Sequence, residues 1–189
     1  MVSLIVGLGN PGDEYKKNRH NAGFFLLDRF TEQSGVSFSH EVKFTADTCR
    51  FQYQGKPLHL IKPQGFMNKS GYSVGAYARY YNIPVEEILV AHDELDLEPG
   101  TIRLKKAGGH GGHNGLRDIF AHIPSREFYR LRIGIGHPSD RNQVTQYVLK
   151  AASKAQQADI NQSIEDGLSQ MPEICSGNVQ QAMQNLHTA

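Results

Sequence analysis

Two side chains in this sequence have the pairing that acid–base chemistry needs. His20 stands between Arg19 and Asn21 in a polar loop after the apolar run 4–8, and Asp93 follows a second apolar run, 88–91. In α/β proteins ligands gather at the carboxyl ends of strands, so both residues are expected at one rim of a sheet. A carboxylate that accepts from one ring nitrogen of histidine fixes the tautomer and leaves the other nitrogen free as a base. Asn10, Asn68 and Asn114 fall in three loops beside the same strands. A carboxamide donates and accepts without charge, which suits the amide and ester groups of a peptide-like substrate.

Three other patterns compete for attention. Gly7-x-Gly9-x-x-Gly12 follows a strand as a dinucleotide fingerprint does, but Asn10-Pro11-Gly12 makes a turn where that motif needs a helix N-terminus. No acidic residue ends a second strand about 20 residues further on, where a ribose contact belongs. Gly71-Tyr72-Ser73-Val74-Gly75 matches G-x-S-x-G. A nucleophile elbow requires a strand running straight into the serine, whereas Ser73 falls inside a helical repeat. With Asp93 and His110 or His113 downstream it still keeps a triad's chain order, so a serine esterase remains a rival. His110-x-x-His113 suggests a metal near Asp93, but it lies in a glycine loop and no third ligand has zinc-site spacing. No metal is assigned.

The elements that must hold these residues follow from periodicity. Residues 4–8 read as a short buried strand, and Asn21 is placed to cap a helix carrying Phe24, Phe25, Leu27 and Phe30 that ends near Gly35. Residues 51–53 and 58–61 flank Gly55-Lys56-Pro57 as a hairpin. Val74, Tyr77, Ala78 and Tyr81 have helical spacing, and 88–91, 101–104 and 128–135 read as further strands. The glycine–histidine loop 108–115 leads into a helix around Leu116, Ile119 and Phe120. Beyond His137 the chain reads as helices around Val144 and Val148, Ile160 to Leu168, and Val179 to Leu186. The expected architecture is one α/β domain over residues 1–189, a twisted mixed, mostly parallel sheet flanked by helices.

A net charge of +1 over 189 residues announces no polyanionic partner by itself. Its distribution says more. Arg103, Lys105, Lys106, Arg117, Arg126, Arg130 and Arg132 crowd one stretch against only Asp118 and Glu127. A local basic face is the usual footprint of phosphate binding. Cys49 and Cys175 have no ligand spacing, which fits a reduced, cytosolic chain. No apolar run approaches the length of a membrane span and no basic-then-apolar leader opens the sequence, so no membrane partner is expected.

Taken together, Asn10-Pro11-Gly12, Arg19-His20-Asn21-Ala22-Gly23-Phe24, Phe66-Met67-Asn68-x-Ser70-Gly71, His92-Asp93-Glu94-Leu95-Asp96-Leu97 and Gly108-Gly109-His110-Gly111-Gly112-His113-Asn114-Gly115-Leu116 closely resemble bacterial peptidyl-tRNA hydrolases. Arg130-Leu131-Arg132-Ile133-Gly134-Ile135-Gly136 extends a match that covers nearly the whole chain. The resemblance implies a monomeric cytoplasmic enzyme, without metal or organic cofactor, that cleaves the ester joining a peptide to the terminal ribose of tRNA. It implies that the enzyme contacts the acceptor stem and the peptide end of peptidyl-tRNA. His20 is implied as the base that activates water and Asp93 as its orienting partner. Asn10, Tyr15, Met67, Asn68, His113 and Asn114 are implied as substrate-binding, and Lys105 with Arg132 as the grip on the tRNA 5′-phosphate. The backbone amides of Gly9, Gly111 and Gly112 are candidate oxyanion donors. Asn18, Gly65 and Ser139 depart from the family's common threonine, threonine and glycine, and none of them removes a catalytic group. A non-catalytic module that binds acceptor stems is the remaining rival.

Overall fold

β1 (Leu4–Gly7) is buried along its whole length, and a short apolar run covered on both faces calls for parallel neighbours. In a computed structural model, which describes residues 1–187, it has them. β4 (Lys56–Pro63) and β5 (Ile88–Glu94) run parallel on its two sides, and β7 (Tyr129–Gly134) runs parallel to β5. The edges are antiparallel: β2 (Ser39–Glu41) and β3 (Ala46–Tyr53) beyond β4, and β6 (Ile102–Lys106) beyond β7. The seven strands thus lie in the order β2-β3-β4-β1-β5-β7-β6, a mixed sheet in which the central four are parallel.

Alternate residues feed two cores, as the period of a strand requires. Ile5, Leu89, Ala91, Leu131 and Ile133 pack with α1 (Ala22–Ser34), α5 (Lys154–Ser169), α6 (Met171–Ser176) and α7 (Val179–His187). Leu4, Val6, Ile88 and Val90 pack with α2 (Ser70–Tyr80) and α3 (Asn114–His122) on the other face. The short α4 (Val144–Val148) lies at the rim. α1 lies hard against the strand ends because Gly23 has no side chain. A Cβ there would run into the backbone of Leu8 and Ala91. That close approach brings the turn before α1, and His20 with it, to the rim.

β1 and β7 stop inside the expected runs 4–8 and 128–135, while other strands extend further than the apolar runs suggest. β5 continues through His92 and Asp93 to Glu94, so Asp93 lies within a strand rather than beyond one. β4 reaches Pro63, and β3 starts at Ala46, its first half mostly buried although Asp47, Thr48 and then Arg50 break any apolar run there. β2 and α6 have too few apolar residues to announce themselves. Among the described residues, no helix is long and apolar enough to cross a membrane.

Candidate active site

His20 occupies a single 3-10 turn, Arg19–Asn21, immediately before α1. Its neighbours clamp that turn. The Arg19 amide donates to the Lys150 carbonyl at 3.0 Å. The Arg19 guanidinium donates to Tyr147 O at 2.9 Å and stacks 3.8 Å above the Tyr147 ring. Asn21 sits at the start of α1 but does not cap it with its side chain. Its carboxamide is spent on the loop after β1, accepting from the Asn10 amide at 2.8 Å and donating to the Asn10 carbonyl at 3.0 Å. Asn10 in turn accepts from the Met67 amide through Oδ1 at 2.7 Å. A backbone N–H can only donate, so that contact fixes the carboxamide and leaves the Asn10 Nδ2 as its ligand-facing donor. Three loops are thereby tied into one rim.

The protons in the cluster can be placed by the same logic. His113 is the N-cap of α3, and its Nδ1 accepts from the amides of Gly115 (3.1 Å) and Leu116 (3.4 Å). Nδ1 therefore carries no proton, and Nε2 must donate to Asp93 Oδ1, 2.8 Å away. The other carboxylate oxygen, Oδ2, lies 2.8 Å from His20 Nδ1. His20 thus holds its proton on Nδ1, and Nε2 is left as the basic nitrogen. Asp93 is 3% exposed, and burial would raise its pKa. The two imidazoles outweigh that and hold it well below the usual carboxylate range. Burial alone would lower the pKa of His20, but the charge and hydrogen bond of Asp93 more than offset it and hold His20 above the ordinary 6.5.

The ligand atoms of His20, Asp93 and His113 all lie within 4.8 Å of one another, near enough to face one ion. Each is already engaged in the hydrogen-bond chain just described, so protons satisfy the trio. His110 does not join it, since its Nδ1 accepts from the Gly112 amide at 2.9 Å.

Around the trio opens a cleft of about 300 Å³ lined by Asn10, His20, Met67, Asn68, Asp93, His113 and Asn114. Seven of the residues expected at the site are therefore brought together. Tyr15 stands at the margin, edge-on to Phe66 with ring centroids 6.0 Å apart. Lys105 and Arg132 line a separate side cavity of about 220 Å³, which shares His92, Glu94, His110 and Gly111 with the cleft. There Arg132 Nε donates to Glu94 Oε1 at 2.8 Å.

Several expectations are corrected. Ser73 is fully buried within α2, donates to the Thr45 carbonyl at 2.9 Å and does not line the cleft, so it is no nucleophile. Gly112 spends its amide on His110, and Gly9 lies under the Phe24 ring, where a Cβ would collide. Gly111 and Gly112 both line the cleft and Gly9 does not, and of the two the Gly112 amide is the one already taken. Sequence reasoning also overlooked Phe66, which lines the cleft half-exposed with φ 65° and ψ 160°, a conformation that costs a non-glycine residue strain. Nothing in its spacing signals that.

An imidazole held by a carboxylate thus stands at the C-terminal rim of the parallel strands of an α/β protein, in a cleft that no serine or cysteine among the described residues lines. The comparisons with known proteins place the chain among hydrolases. The profile of the peptidyl-tRNA hydrolase family matches residues 4–189. A peptidyl-tRNA hydrolase of Pseudomonas savastanoi pv. phaseolicola is 50% identical over 188 residues, 99% of this chain and 97% of its own. One of Nitrosomonas eutropha is 50% identical over 187 residues, 99% and 96% of the two chains. The crystal structure of peptidyl-tRNA hydrolase from Acinetobacter baumannii superposes with a TM-score of 0.95 at 46% identity, covering 98% of this chain and 94% of that one. The chain belongs to the peptidyl-tRNA hydrolase family.

Proposed function

We propose that this chain hydrolyses the ester between a peptide and the terminal ribose of tRNA, with His20 as the base that activates water. Family membership supports the reaction, and the bare Nε2 of His20 supports the mechanism. Water gives a proton to Nε2 as its oxygen attacks the ester carbon, and Asp93 stabilises the imidazolium that forms. When the tetrahedral intermediate collapses, His20 returns the proton to the departing ribose oxygen. The ribose hydroxyl next to the ester makes that oxygen a tolerable leaving group, so a covalent enzyme intermediate is unnecessary. Asn10, Asn68 and Asn114 hold the ester and peptide end, with Met67, His113 and Tyr15 beside them. The enzyme works as a monomer in the cytoplasm, which sedimentation of the purified chain tests.

The deciding assay is release of N-acetyl-amino acid from N-acetyl-aminoacyl-tRNA with EDTA present. The unmodified protein should turn over. Binding without release would instead favour the acceptor-stem module. Ser73→Ala should retain wild-type turnover. It should lose at most about 1 kcal/mol of stability, since one buried hydrogen bond goes while Thr45 O keeps the Gln64 amide at 2.8 Å. Lys105→Ala and Arg132→Ala should raise KM severalfold with kcat nearly unchanged. Each should also reduce the salt dependence of tRNA binding by about one unit of slope, the behaviour of a phosphate contact.

A further inference from the structure

The side cavity carries two polar atoms that the fold leaves without partners. His92 and Arg130 are each 3% exposed, and among the described residues neither His92 Nε2 nor Arg130 Nε has a hydrogen-bond partner. Both residues line the same small space. Their placement is a consequence of register: His92 on β5 pairs with Arg132 on β7, and Arg130 on β7 pairs with Lys105 on β6. Arg130 spends its terminal nitrogens on the carbonyls of Gly108 and Gly109, which pins the glycine loop and leaves its Nε–H unused.

His92 has only one possible tautomer. Its Nδ1 lies 2.8 Å from the Asp93 carbonyl oxygen, which can only accept, so Nδ1 carries the proton and Nε2 is a bare acceptor. Burial and the neighbouring His113 keep the ring neutral, with a pKa lowered to about 4. The walls of the cavity therefore hold an unused, buried donor on Arg130 and an unused, buried acceptor on His92, beside the cations of Lys105 and Arg132. A group that complements all of them must accept from the cations and also share a proton with His92. A phosphate monoester does both, because its second proton leaves near pH 6.

We infer that His92 is a proton-linked contact for a terminal phosphate in this cavity, so that binding the phosphate takes up one proton. The inference rests on the reading of Lys105 and Arg132 as phosphate ligands. At neutral pH the free phosphate is mostly a dianion and His92 is neutral. The bound pair holds one proton between Nε2 and a phosphate oxygen, and that proton comes from solvent. It does not matter to the balance which partner keeps it. The ring of His92 also packs against that of His113 at 5.1 Å, so a filled cavity braces the donor that holds Asp93.

Of the other charged groups near His92, the Asp96 carboxylate lines the same cavity and meets a bound phosphate there beside Lys105, Arg130 and Arg132. Asp93 is held by two imidazoles and Glu94 is paired with Arg132. His110, the second imidazole lining the cavity, is the rival for the proton.

The test compares full-length N-acetyl-aminoacyl-tRNA carrying a 5′-phosphate with the same tRNA after phosphatase treatment, between pH 6.5 and 8.5. For the unmodified protein, KM for the phosphorylated substrate should rise by up to about tenfold per pH unit, the slope of a single linked proton. KM for the 5′-hydroxyl substrate should not share that slope. Calorimetry in two buffers of different ionisation enthalpy should register about one proton taken up only with the phosphorylated tRNA. His92→Gln and His92→Asn should abolish the uptake and flatten the slope, while His110→Gln should keep both. A phosphate that improves KM with no proton uptake, or an uptake that vanishes in His110→Gln instead, overturns the role of His92. A 5′-phosphate that makes no difference to KM overturns the reading of Lys105 and Arg132 itself.

Discussion

His20→Ala is expected to cut kcat by about 10²–10⁴-fold, the range a positioned general base supplies, while KM for N-acetyl-aminoacyl-tRNA stays within severalfold of wild type. The reason for the split is geometric. His20 has Nε2 left for the cleft, whereas the proposed phosphate ligands Lys105 and Arg132 line the side cavity and the asparagines lie on other loops. Imidazole added to the medium should restore part of the lost turnover, because the variant leaves space for it next to Asp93. A second consequence concerns stability in acid. Asp93 has a depressed pKa, so it contributes stability that is present above the usual carboxylate pKa and is lost as pH falls toward its own. Removing His20 takes away one of the two groups that depress it. The variant should therefore lose that stability at a higher pH than wild type, which thermal melts from pH 7 down to 3 would reveal. Turnover that survived in His20→Ala would remove His20 as the base.

Asp93→Asn is expected to be nearly isosteric and about 10³–10⁴-fold slower, comparable to the loss when the carboxylate of a Ser-His-Asp triad becomes an amide. His113 decides how the new carboxamide sits. Its Nδ1 is held by two helix amides, so its Nε2 must keep donating, and the asparagine must turn its oxygen toward His113. That turns the amide N–H toward His20 Nδ1, which must accept it. The proton of His20 is then driven to Nε2, and the base is blocked. Asp93→Asn should also move the pH profile. The wild-type rate should rise with pH as His20 loses its proton, with its limb above 6.5 because Asp93 raises the pKa against the effect of burial. Without the carboxylate charge only burial acts, so the residual activity should rise at a lower pH. A profile of kcat/KM against pH for both proteins tests the sign. An unmoved limb would detach the pH dependence from this pair.

Much of this was legible before any coordinates. The central strands were, since 4–8 and 88–91 are short apolar runs that can only be buried, and their ends deliver Gly, Asn, His and Asp. The pairing of His20 with Asp93 followed from that. What the sequence could not disclose is how each side chain divides its hydrogen bonds. Asn21 reads as a helix cap by position, yet the loop after β1 needs its carboxamide more than the helix does. Ser73 fits a nucleophile's motif, but a helical repeat buries it against Thr45. His113 looks like half of a metal pair until Gly115 and Leu116 are seen to claim one of its nitrogens. Long-range register was equally hidden: nothing local places His92 beside Arg132, because that adjacency is created by parallel pairing of residues 40 positions apart.

The cap on α3 makes one further demand on the molecule. The same imidazole ends a loop, begins a helix and supplies a proton to the carboxylate that steers His20. Closing the first turn of that helix and orienting the base are thus a single cooperative event. A chain unravelled at that turn has no aimed nitrogen even with every strand in place. Competence therefore requires that turn to be closed, so a copy frayed there is chemically silent toward the esters around it.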